Sequence, residues 1–577
     1  MADESRTFTT ERTENTEEAF KKSKNEKIFA RVLKKNKKMN KPKIKDILGD
    51  LPLTAEIYWL LRQGGKPPVG GYSADQLKKS LPHWVAQART AQRPKTGKRI
   101  LIFTMLRYWV EHSAMTALAL SALGHDVTLA YLPHAHWKKV DNRFDLRRQD
   151  LYLKDVLKPI NEMVQTVSLL SASQADSLPE ELSSQLDSAA YRDTQYSLLH
   201  EEIDVDSALY ARRYARDLRH ASVMLAFLRR EKFSPPRGEM SEGQRGAFDA
   251  IALPNGSILE FGMTYKVARY LNIPVITYEF GEQSERIWMA QNDDVMRQDT
   301  SKMWSARKNT PLTQKEWDRV KEFFSARQGG GLWENFSRKW QNITSQGSEK
   351  LRADLGLDNR PLILLPANVL GDSLTLGRHT FSKSMTEWMT RTIEFFAKRN
   401  DVQFVIRVHP GESLGWGLSV YDILIEKFPE LPENIHLLPA DAKVNTYDLV
   451  NTADVGLVFT TTVGMEMAMI GLPVIVTGET HYRRKGFTLE PETWDEYFDL
   501  LEKVIADSKK YAPSREAVES AWTYAYRFFF EYPQPYPWHV QHFWDDEAKW
   551  PLKKVMSKEG LAKFEKTFRY LTGEEMA

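Results

Sequence analysis

The chain has 577 residues, 42% hydrophobic and 27% charged, with a formal net charge of +3. It is too long for one hydrophobic core and too near neutral for a molecule whose whole surface binds a polyanion, so nucleic acid is not an expected partner. It contains no cysteine, which excludes disulfides, thiolate catalysis and cysteine-ligated metal, and which fits a reducing compartment.

The first twenty residues, MADESRTFTTERTENTEEAF, are polar and acidic, unlike a signal peptide. No apolar run reaches the roughly 18 residues that span a bilayer, so the expected location is cytoplasmic. A dense basic block follows from Lys21 to Lys45. It reads either as a solvated tail or as an electrostatic hold on an anionic membrane, which salt weakens. Residues 1–50 are expected to form a disordered basic tail, and residues 51–97 a helical lead-in containing TAEIYWLLRQGG.

Regular alternation starts at Lys98. KRILIFTM is an apolar strand, HSAMTALALSALG a helix closed by Gly124, and DVTLAYLP the next strand, a βαβ unit that builds a parallel sheet. From about Phe144 to Arg230 the pattern is mostly helical, with VQTVSLLS as a strand inside it. AFDAIALPNG and IPVITYEFGE are strands flanking the helix ILEFGMTYKVARYLN. This makes residues 98–300 one α/β domain. Residues 301–360 are polar and Trp-dotted, a helical connector. A second alternating set fills 361–518, with strands PLILLPA, VQFVIRVHP, NIHLLPA, VGLVFT and PVIVTG. Their continuous apolar runs are those of strands buried on both faces. The tail, 519–577, includes YAYRFFFEYPQPYPW, too apolar to be free, and is expected to pack across the body. Two doubly wound domains and a connector imply a cleft, with ligands outside the carboxyl ends of the strands.

Three strand ends in the second domain carry groups suited to phosphate. VQFVIRVHP delivers Arg407 and His409, and the alternation of a regular strand aims both the same way. His409 can give a hydrogen bond or a proton to a departing phosphate. FTTTVGMEMAMIG places Thr460, Thr461 and Thr462 before a helix opened by Gly464, where hydroxyls and unpaired N–H groups attract an anion and a glycine admits close approach. Glu466, in the first turn of that helix, suits a sugar or ribose hydroxyl; it equally suits the helix dipole. GETHYRRKGFT begins at Gly478 and carries Tyr482, Arg483, Arg484 and Lys485, either an exposed basic loop or a lip over an acidic ligand.

From about Lys98 to Trp538 the chain resembles GT-B glycosyltransferases, and more narrowly the bacterial capsule polysaccharide biosynthesis proteins that include Kdo transferases. The resemblance runs through VHP, TTVGMEMAMIGLPV and GETHYRRKGFT: Gly464, Glu466, Pro473, Gly478, Tyr482, Gly486 and Thr488. The His-Pro and Ser/Thr pairing is also similar to bacterial sialyltransferases and teichoic-acid glycerophosphotransferases, which use cytidine nucleotides. The loop departs from the aromatic form usual in Kdo transferases, having HYRRKGFT, and one GT-B unit is visible rather than a tandem pair.

The resemblance implies an α/β GT-B fold: two Rossmann-like domains facing across a cleft, the first for acceptor and the second for nucleotide donor, with a helical connector and helical extensions. It implies transfer of a sugar from a cytidine or uridine donor to a surface polysaccharide or lipid-linked acceptor. Alternatives are a CDP-glycerol-type glycerophosphotransferase and a non-catalytic or epimerase-like nucleotide-sugar-binding relative. Inverting chemistry would want a carboxylate or histidine at a strand end of the first domain as acceptor base: Glu111, His112, Glu279 or Glu282, with Glu279 and Glu111 preferred. Asn255, Gly256 and Glu282 belong to the same acceptor side. No cofactor beyond the nucleotide sugar is expected. Nor is a metal: no DxD stands at a strand end, HExxH is absent, and the nearest acidic pair is Asp293–Asp294.

Overall fold

The computed structural model describes residues 44–68, 72–139, 141–233, 248–336, 343–414 and 418–576. Internal contacts divide the chain into two compact units. The smaller joins the segment ending at Gly64 to Asn142–Arg148. The basic block Lys21 to Lys45 lies outside the described residues except for Ile44 and Lys45.

The larger unit holds two sheets. The first contains β1 (Arg99–Met105), β2 (Asp126–Leu132), β3 (Gln165–Ser168), β4 (Ala250–Pro254), β5 (Val275–Glu279) and β6 (Arg286–Gln291). The second contains β7 (Leu362–Pro366), β8 (Gln403–Arg407), β9 (Ile435–Leu438), β10 (Val455–Val458) and β11 (Val474–Val476); β12 (Gln534–Pro535) returns to the first. The spatial orders are β12-β6-β5-β4-β1-β2-β3 and β11-β10-β7-β8-β9. β1 to β5 run parallel, as do β7 to β11, while β6 and β12 are antiparallel additions at one edge.

In each sheet the chain winds outward through three strands and then jumps back beside the first. The order therefore reverses between β1 and β4, and again between β7 and β10. Crevices open at such switch points. Two doubly wound halves in one chain make the GT-B architecture. Both faces of the second sheet are buried: Ile363 and Leu365 point into one apolar cluster, Leu362 and Leu364 into the other.

The halves meet through named contacts. The loop after β7 presses Gly371 against the backbone of Leu199, where a Cβ would come within 2.6 Å. Arg378 reaches Asp294 at 3.3 Å, and the Glu201 carboxylate accepts the Met385 and Thr386 N–H groups at the start of the Met385–Phe396 helix. The last segment crosses back to the first half. Trp84 Nε1 donates to Glu547 at 3.0 Å, and the Lys98 ammonium to the Thr572 carbonyl at 2.9 Å.

Two details differ from the sequence reading. RIWMAQ is a strand, β6, between β5 and the edge strand β12, hidden because its burial alternates and its pairing on both sides is antiparallel. The helix after β1 begins at Arg107, five residues ahead of HSAM, which puts Glu111 and His112 in its second turn rather than at a strand end.

Candidate active site

At the switch point of the first sheet, Leu106 takes a positive φ of 64° and turns the chain sharply from β1 into the Arg107–Ala122 helix. Opposite it, Asn255 and Gly256 leave β4 with φ of 57° and 90°. A Cβ on Gly256 would run into the Thr277 side chain, so both the space and the conformation call for glycine there.

Beside this turn lies a cavity of about 580 Å³, lined by Arg107, Tyr108, Glu111, Tyr196 and Glu279 and walled by residues 540–545. Glu279 ends β5. Its carboxylate accepts from the Phe280 N–H at 3.0 Å and from Asn255 Nδ2 at 3.2 Å. The Asn255 amide is oriented by its own Oδ1, which accepts from the Ser257 N–H and hydroxyl at 3.1 and 2.6 Å. Burial pushes the Glu279 carboxyl up to about 7, and the two hydrogen bonds only partly oppose it. At neutral pH it is divided between acid and carboxylate, the condition a general base needs.

Glu111 is the second carboxyl. Burial raises it, but Arg107 counters: Nη1 donates to both oxygens, at 3.0 and 3.1 Å. His112 turns away from the cavity among the rings of Trp109, Tyr278, Phe280 and Tyr536, and burial lowers it to about 3. Glu282 is absent from the cavity wall; half-buried in the β5–β6 connection, it adds to the negative field around Arg327. Tyr196 links the halves. Burial raises its hydroxyl, and the neighbouring charges of Glu279 and of Asp372, on the loop after β7, raise it further.

At the switch point of the second sheet, Asn368 Oδ1 accepts the Thr460 N–H at 3.1 Å, tying the exit of β7 to that of β10. Among the described residues the buried Thr460 hydroxyl meets no hydrogen-bond partner. His409 follows β8; its Nδ1 accepts the Gly411 N–H at 3.0 Å, which assigns the ring proton to Nε2. Glu412 fixes this exit by accepting the Leu370 and Val420 N–H groups at 3.1 and 3.0 Å. Thr461 and Thr462 are half-buried at the start of the Val463–Met469 helix.

Several expected donor ligands are corrected by their contacts. Arg407 does not share a direction with His409, because the chain leaves β8 between them. Its guanidinium is buried and donates to the carbonyls of Pro439, Ala440 and Ala442. Glu466 is buried against Arg327, 2.9 Å away, on the connector helix Gln314–Gln328. Gly464 makes room for the Tyr482 hydroxyl and the Val458 side chain rather than for a ligand. That hydroxyl donates to the Thr461 carbonyl at 2.6 Å. Gly478 similarly lies against Phe459 and Thr460. Arg483 is buried with the carbonyls of Val476 and Pro491 and with Glu492, and Arg484 pairs with Glu479. Two of the loop's cations, Arg483 and Arg484, are therefore paired with acids of their own neighbourhood.

The sequence reading missed Arg107, Tyr196 and the wall at 540–545. The signal for the wall was present in the apolar tail, whose length of aromatic residues requires a surface to cover.

No protein-family profile and no curated protein matches the chain. Among solved structures it is similar to a β-Kdo 2,4 transferase, KpsC of Thermosulfurimonas dismutans: 15% identity, 50% of this chain and 81% of that one, TM-score 0.32. It is similar to the UDP-GlcNAc 2-epimerase of Neisseria meningitidis, at 13% identity over 75% of this chain and 99% of that one, TM-score 0.23. The spinosyn rhamnosyltransferase SpnG stands at 11% identity, 75% and 96% coverage, and TM-score 0.23.

Proposed function

We propose that the protein is a glycosyltransferase that moves a sugar from a cytidine or uridine nucleotide donor onto a surface-polysaccharide or lipid-linked glycan acceptor, without a catalytic metal. The observation that carries the reading is Glu279: a strand-end carboxyl at a switch-point cavity, held by Asn255 and raised to about 7.

An acceptor hydroxyl in the cavity gives its proton to Glu279 as its oxygen attacks the anomeric carbon. The bond from that carbon to the donor phosphate breaks with inversion, and the electron pair leaves on the nucleotide. His409 Nε2–H, the Thr460–Thr462 hydroxyls and nearby backbone N–H groups meet the charge that develops there. The unsatisfied Thr460 hydroxyl supports this placement of the donor, since a buried polar atom without a partner calls for one.

The test is a donor screen. The protein is incubated with CMP-, CDP- and UDP-sugars and CDP-glycerol, with and without oligosaccharide acceptors, and the released nucleotide and product are identified. Acceptor-dependent sugar transfer is expected. Conversion of a nucleotide sugar without acceptor, or transfer from CDP-glycerol alone, would overturn the reading.

A further inference from the structure

The smaller unit is built inside out. Helices Ile44–Asp50 and Thr54–Tyr58, with the turn Trp59–Gln63, are fastened by polar and steric contacts. Lys45 bonds Asp145 at 2.9 Å, Arg147 Nε bonds Glu56 at 3.0 Å, and Arg148 pairs with Gln63. Gly49 lies on the backbone of Phe144, where a Cβ would come within 2.7 Å of the nitrogen. These contacts use up the inward side.

The outward side is apolar. Of the fourteen large apolar side chains that the described residues leave exposed, eight fall between Ile44 and Leu61. Ile44, Ile47 and Leu51 recur at i, i+3 and i+7; Leu53, Ile57, Leu60 and Leu61 at i, i+4, i+7 and i+8. Each set is the stripe that a soluble helix buries, yet Ile44, Leu60 and Leu61 are 76%, 78% and 76% exposed.

Charge says what covers it. The stripe continues directly from Lys21 to Lys45, where twelve Lys and Arg accompany a single Glu, and Arg62 is exposed at its far end. A nucleic acid would take the charge and leave Ile and Leu in water. An anionic bilayer takes both: lipid phosphates for the cations and acyl chains for the apolar stripe. We infer that residues 44–61 form an interfacial membrane anchor that inserts into the surface of an anionic bilayer, with the preceding basic block selecting the lipid charge.

The test uses the full chain and co-sedimentation with vesicles of phosphatidylcholine alone or with about a third phosphatidylglycerol. The protein should bind the anionic vesicles and stay bound near 0.5 M salt, where screening has shortened to a few Å and a purely electrostatic hold is lost. Ile57→Glu, Leu60→Glu and Leu61→Glu combined should lower that partition at least about tenfold. The three side chains are exposed, so circular dichroism and melting should stay as in the parent. Hydrogen exchange over residues 44–61 should slow only when anionic vesicles are added. Equal partition of parent and triple variant refutes the anchor. So does equal binding to neutral vesicles, protection of 44–61 before vesicles are added (cover by this chain's own N-terminal residues), or a parent dimer that the triple variant dissolves.

Discussion

Replacing Glu279 by Gln keeps the shape and the acceptor for the Phe280 N–H while removing the titration. Burial raises this carboxyl from 4.5 to about 7. A raised acid contributes its stability below pH 4.5 and loses it as pH climbs through 7, because the folded state then holds a carboxylate that water would solvate better. At about 1.4 kcal/mol per pH unit the whole displacement is worth roughly 3 kcal/mol. The side chain is only half-buried at the cavity, so solvent screens part of this, and about 1–3 kcal/mol is expected. Thermal melting of parent and variant should nearly coincide at pH 4.5, with the Gln variant the more stable at pH 8.5. Activity should behave oppositely: parent kcat/KM should rise about tenfold per pH unit up to 7 and then level, and the variant should lose roughly two to four orders throughout. A variant equally destabilised at both pH values, or a parent rate flat across pH 6–8, refutes the assignment of Glu279 as a base with a raised carboxyl.

His409→Ala should cut turnover by roughly two to four orders while leaving the fold intact, since the side chain lies past the end of β8, where truncation removes no strand residue; unchanged turnover with the correct donor removes His409 from the chemistry. Arg327→Met strands the buried Glu466 charge and should cost about 3–5 kcal/mol, most of it recovered by adding Glu466→Gln; if the double variant is no better than the single, the pair is not coupled. Gly464→Ala drives a methyl into the Tyr482 hydroxyl and should cost about 1–3 kcal/mol. Adding Tyr482→Phe should return part of it, and additivity of the two losses in a double-mutant cycle would contradict the contact.

The parallel strands of both halves were legible because strands buried on both faces read as unbroken apolar runs: PLILLPA and VQFVIRVHP contain β7 and β8, though both overrun the strand ends. RIWMAQ was not, since its burial alternates and one of its two antiparallel partners, Gln534–Pro535, lies far along the chain. The strand-end candidates fared unevenly for a physical reason. Sequence shows that a polar group sits at a strand end, but not which way the chain bends after it. Glu279 and Asn255 turn toward each other, whereas Arg407 turns to three carbonyls and Arg483 to Glu492. The partners that capture those arginines come from loops whose paths no local pattern encodes.

The return of the last segment to the first half has a consequence for biosynthesis. The wall at 540–545 and the strand Gln534–Pro535 belong to a domain whose other strands leave the ribosome hundreds of residues earlier; Trp84 and Glu547 are separated by 463 positions, Lys98 and Thr572 by 474. Closing such loops comes late, after the intervening half has condensed. Until then the cavity beside Glu279 has an open side, and β6 is an unpaired sheet edge available to other chains. A translation product stopped before residue 534 thus carries the strands that present Glu279 and His409 but lacks the part that closes the cavity beside Glu279.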